Sequence, residues 1–133
     1  MLLLDSEAIS AIAHGPRERR DRVRALMLEG RRRDPTVATV AAVLAELIRG
    51  RRADAAVYSA MRREQLRVYP IDPNAGIRAG QLLGAAGAGS EHAVDAFLVA
   101  VADLEGGAVI ATTDELDLRR LAAHASAVVI AAI

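Results

Sequence analysis

The chain has 133 residues, 53% of them hydrophobic, which is enough for one core and far from the composition of a disordered chain. It contains neither cysteine nor lysine, which excludes disulfides, thiolate zinc sites, thiol nucleophiles and a lysine-bearing phosphate loop, and fits a reducing, cytoplasmic setting. Its 17 basic residues balance 17 acids to a formal net charge of zero, so local patterning rather than total charge must carry the functional argument.

Met1 to Leu4 is an apolar run ending at Asp5 and reads as a buried strand; Ser6 is positioned to cap a following helix, which Gly15-Pro16 breaks. Residues 17–31 read as a second helix, with Val23, Leu26 and Met27 on one face and arginines on the other. Asp34-Pro35 is a turn, and Thr36 to Thr39 is a short β-branched strand candidate. Residues 40–49 return to helical spacing up to Gly50, and residues 53–66 form another helix. Val68 to Ile71 reads as a strand, and residues 74–86 as an Ala-rich helix. Ser90 opens a helix to Glu105, closed by Gly106-Gly107; Ala108 to Ala111 is a strand, Asp114 to His124 a helix, and Ala127 to Ile133 a last strand. Short, continuous, apolar strands alternating with helices predict an α/β fold, a parallel sheet between helical layers, in a single domain over residues 1–133. No apolar run approaches the ~20 residues of a membrane span, and the N-terminus lacks a basic-then-apolar leader pattern.

Arginines cluster at Arg17 to Arg24, Arg31 to Arg33 and Arg49 to Arg52, as solvated helix faces or as contacts for phosphate or an acidic partner. The acids are more informative. Sites in open parallel sheets form beyond the carboxyl ends of the strands, and Asp5 and Asp114 stand at two such ends. Asp5 either begins a loop or belongs to a site; Asp114 either caps the helix that follows, with Asp117 in its first turn, or does more. Asp95 has Leu98, Val99 and Ala102 as helical neighbours, so its carboxylate requires a partner: an arginine, a cap, a proton or a metal ion. Glu46 lies about 130° from the apolar stripe of its helix, and periodicity alone does not separate it from a solvated glutamate pairing with Arg49. Several carboxylates brought together near neutral pH require protonation or a cation, and oxygen donors without cysteine or clustered histidine favour Mg²⁺ or Mn²⁺ over zinc.

At these residues the chain resembles the PIN-domain ribonucleases, in particular the VapC-type toxins. The resemblance rests on L-L-L-D-S (Leu2 to Ser6), V-L-A-E-L-I-R-G (Val43 to Gly50), A-V-D-A-F-L-V-A (Ala93 to Ala100) and A-T-T-D-E-L-D-L-R-R-L (Ala111 to Leu121), and it spans essentially the whole chain. It implies a three-layer α/β/α PIN-like fold with a central sheet of four to five strands. It also implies a metal-dependent endoribonuclease, the toxin of a type II pair, with Asp5, Glu46, Asp95, Asp114 and Asp117 as catalytic residues. Mg²⁺ or Mn²⁺ would sit among Asp5, Asp95 and Asp114, with Glu46 orienting a water or serving as base, and Thr112 and Ser6 holding a water or the acid loops. RNA substrate, a VapB-type antitoxin and a homodimer are implied as partners. The sequence departs from the family at S-E-H-A-V-D-A, where His92 replaces a frequent acid and reads as a first-turn residue without a catalytic role. Two rival readings remain: a PIN-like RNA-binding or regulatory module with weak or no nuclease activity, and an unrelated α/β fold whose acids serve caps and ion pairs.

Overall fold

Three consecutive leucines form β1 (Leu2–Leu4), and all three are buried, as in a strand covered on both faces. The structure, a computed structural model, describes residues Met1–Ile133. Helices α1 (Ser6–Ala13) and α2 (Arg17–Arg33) follow, then β2 (Val37–Val40), α3 (Ala41–Leu47), α4 (Asp54–Arg63) and β3 (Arg67–Tyr69). The second half runs α5 (Pro73–Ala86), a 3₁₀ turn (Ser90–His92), α6 (Ala93–Leu104), β4 (Ala108–Thr112), α7 (Glu115–Ala122) and β5 (Val128–Ala132).

All five strands are parallel, in the order β3-β2-β1-β4-β5. Helix α1 packs against α2, α3 and α4, while α6 packs against α5 and α7, which gives the expected three layers. Leu3, Leu4, Ile9, Leu98 and Ile110 are fully buried between them. Each such side chain stabilises the fold by roughly 1.5–3 kcal/mol through area removed from water. No helix is long and apolar enough to cross a membrane.

The strand order reverses between β1 and β4, the place where an open parallel sheet forms a crevice at its carboxyl edge. Leu4 pairs with Ala111 there, and the Asp5 N–H donates to the Ala111 carbonyl at 3.3 Å, so the chain leaves both strands side by side. Thr39, fully buried in β2, donates its hydroxyl to the Leu4 carbonyl at 2.7 Å and fixes the other neighbour of β1 at the same level.

Most boundaries differ from the sequence reading by one to three residues, among them β3, read over Val68 to Ile71 and found at Arg67–Tyr69, and three of the differences have a clear physical reason. Asp5, not Ser6, caps α1: its backbone is extended and its carboxylate accepts the Ala8 N–H. The helix read over residues 40–49 stops at Leu47, because the next N–H groups turn to the Asp54 carboxylate instead of continuing the ladder. Gly50 adopts a φ of +72° in that turn. The helix read from Ser90 begins as a 3₁₀ turn and becomes α-helical at Ala93.

Candidate active site

Asp5 is 7% exposed, at the exit of the central strand. Oδ1 accepts the Ala8 N–H at 2.7 Å, and the Thr112 hydroxyl beside the same carboxylate favours its charged form. Capping takes up only part of the carboxylate's acceptor capacity. Burial raises its pKa to about 6; the Thr112 hydroxyl and the Ala8 bond oppose that rise, and the charges of Glu7 and Glu46 add to it.

Thr112 ends β4 with its side chain fully buried, and its Oγ1 also accepts the Asp114 N–H at 2.9 Å. One hydroxyl therefore serves both strand-end acids. Asp114 occupies the N-cap position of α7 but makes no capping bond, so its exposed carboxylate is free. The capping alternative for Asp114 is not what the geometry shows.

Asp95 lies in the first turn of α6, half-buried and without an arginine partner. Its pKa is raised to about 6, first by burial and then by the charges of Glu46, Asp5, Asp114 and Asp117. All five acids singled out in the sequence thus meet in one electrostatic neighbourhood, delivered by two strand ends and three helices. Glu46 is an exposed residue of α3, the helix that follows β2. It does not pair with Arg49, whose Nη1 donates instead to the carbonyls of Ala45 and Ile48. Asp117 lies half-buried on α7, with His92 Nδ1 at 3.6 Å and Arg120 Nη1 at 3.9 Å. The His92 contact was missed because it joins two elements; no local pattern announces it.

Half of the α2 arginines face acids of their own or a neighbouring helix, as in Arg24–Glu64 at 3.8 Å and Arg32–Glu29 at 3.6 Å. They contribute solvated faces, each pair worth little. The donor set of the acid crevice fits a hard divalent cation in kind, being all oxygen, with only Asp117 of the five acids facing basic side chains. No three acids or histidines already stand as a finished coordination cage.

The sequence pattern of the PIN domain matches residues 2–124, a span that includes all five acids. The chain belongs to the PIN domain family. A search of the curated proteins gives no match. Among solved structures, this PIN domain is similar in fold to the crystal structure of VapBC2 from Rickettsia felis bound to a DNA fragment from their promoter. The TM-score is 0.70 at 16% identity, covering 99% of this chain and 98% of that chain. The likeness is one of architecture, carried over essentially the full length of both chains.

Proposed function

We propose that this PIN domain is a Mg²⁺- or Mn²⁺-dependent endoribonuclease, the toxin of a VapBC-type pair. PIN domains are in general nucleases, and the observation that carries the reading here is Asp95, half-buried without an arginine partner and raised to about 6 by burial and by four other carboxylates. Asp5, Asp95 and Asp114 would hold the ion. When bound, it would lower the pKa of a water and offset charge on the scissile phosphate.

The chain's own groups would do the rest. The Thr112 hydroxyl beside the Asp5 carboxylate favours its ionised form, the form that would hold a cation. Glu46, exposed on α3 and close enough to act on Asp95, would accept a proton from the attacking water at its carboxylate. Asp117, against His92 and Arg120, would act on the ion directly or through water from the α7 side. Single-stranded or looped RNA suits a crevice into which the backbone must bend. The VapBC2 neighbour is a complex bound to promoter DNA, and a VapB-type antitoxin is the corresponding partner proposed for this chain, with a homodimer as its own assembly.

The test is cleavage of single-stranded RNA by the full chain. Activity is expected with Mn²⁺ or Mg²⁺, none with EDTA, and a fall of about 100-fold or more for Asp5→Asn. Cleavage that persists in EDTA, or in a folded Asp5→Asn variant, would overturn the reading. Metal-independent RNA binding without cleavage would instead favour a binding or regulatory module.

A further inference from the structure

Beside the acid crevice, a polar cleft of about 340 Å³ opens between α1 and the α3–α4 region. Ser6, Ser10 and His14 enter it from α1 at intervals of four residues, which places them on one helix face. Leu47 and the buried Val57 supply its apolar surface. Glu46 lines the cleft and also acts on Asp95, so the cleft continues the acid crevice. Ser6 follows Asp5 directly.

Two further side chains give the cleft a chemical character. Arg49 lines it with Nη1 engaged by backbone carbonyls, while Nε and Nη2 have no acceptor in the protein. Its backbone is fixed: the N–H groups of Arg49, Gly50 and Arg51 all donate to the Asp54 carboxylate, at 3.1, 2.7 and 3.1 Å to Oδ2. Burial alone would raise the Asp54 pKa; those bonds outweigh it and hold the group below its usual value. Glu7, exposed at the mouth, offers a carboxylate. A guanidinium fork suits a phosphate, hydroxyls suit a base edge or a ribose, and a carboxylate suits a base that presents N–H donors. Guanine presents two adjacent donors on its Watson–Crick edge, whereas uracil presents one donor between two acceptors.

We infer that this cleft is a nucleotide subsite of the RNA substrate. It seats one base next to the cut, with Arg49 on the adjoining phosphate and Glu7 and Ser10 reading a donor-bearing base, guanine foremost. This rests on the nuclease reading and names the substrate feature that the same site selects. Ligand pockets begin at about 300 Å³, so the cleft has room for one base and its sugar but not for a folded element.

The test uses binding, with turnover stopped by Asp95→Asn and EDTA. Labelled single-stranded RNAs of about eight nucleotides, all uridine or with one central guanosine, are titrated at about 50 mM salt and followed by fluorescence anisotropy. The guanosine RNA is expected to bind about fivefold tighter. Adding Glu7→Gln should shrink that ratio below about twofold, and adding Arg49→Ala should weaken both RNAs by a similar factor of about threefold or more. Both substitutions are at exposed positions, and circular dichroism checks the fold.

Equal affinities for the two RNAs, or ratios and affinities untouched by both substitutions, would overturn the subsite. Hydrogen exchange offers a second readout: protection of residues 6–14 by the guanosine RNA supports it. Protection there by a protein partner only would assign the cleft to a peptide and overturn it. If the wild-type chain cleaves RNA in Mn²⁺ while these measurements fail, the subsite falls and the nuclease reading stands; if it neither cleaves nor binds RNA, both fall.

Discussion

Thr112 shows how much one hydroxyl can organise. It lies beside the Asp5 carboxylate and accepts the Asp114 N–H, joining the exits of adjacent strands in a fully buried position. Thr112→Val keeps the shape and removes the hydroxyl. Since that hydroxyl opposes the burial-driven rise at Asp5, the substitution is expected to push the Asp5 pKa above about 6. It should also cost about 1–2 kcal/mol in urea denaturation, because the Asp114 N–H loses its acceptor. Carboxyl NMR titration and the denaturation midpoint check both; an unchanged Asp5 titration would contradict the assigned role. At this scale the sequence was readable where polarity broke an apolar run, as at Asp5 and Asp95. Glu46 was not readable by period, since it serves the carboxyl edge of the sheet rather than the core. Ser10 and His14 escaped notice because serine and histidine on an outer helix face are ordinary; their four-residue spacing from Ser6 was the available signal.

Elements were legible because four of the five strands are short apolar runs between turn residues; β3, which opens on the exposed Arg67, was read one residue late. Both Asp5 and Ser6 can cap a helix, and only the backbone decides which residue is still extended. Helix α5 has the complete set of signals: Asp72 accepts the Ala75 N–H at 2.8 Å, Pro73 opens the first turn, and Gly87 closes it with a φ of +62°. Asp72→Ala should cost about 1 kcal/mol, seen as a lower urea midpoint at constant slope. RNA cleavage should be unchanged, since Asp72 lies outside the acid crevice and the cleft beside it. A changed cleavage rate would show that α5 is coupled to the site. The early end of α3 could not be read, because it depends on Asp54 reaching back to N–H groups before it in the chain.

For the whole molecule, zero net charge conceals an acidic crevice whose crowding opposes folding when the groups ionise. The pKa of Asp5 and of Asp95 rises from 3.8 to about 6. Between those pH values the folded chain binds more protons than the unfolded one, so stability falls as pH rises through about 6 and levels off above it. For buried Asp5 the contribution is on the order of 2–3 kcal/mol. In EDTA the melting temperature is therefore expected to drop from pH 5 to pH 7.5, and Asp95→Asn should melt higher than wild type at pH 7.5. Mn²⁺ should raise the wild-type value more at pH 7.5 than at pH 5 and raise that of Asp95→Asn far less. A melting temperature in EDTA that climbs over this range would refute the repulsion. The sheet order carries one more consequence, for synthesis. Asp5 follows the middle strand, but the strand that completes its crevice, β4, is made more than 100 residues later. A nascent chain therefore holds only part of the acid set until Asp114 has been added and β4 has paired with β1.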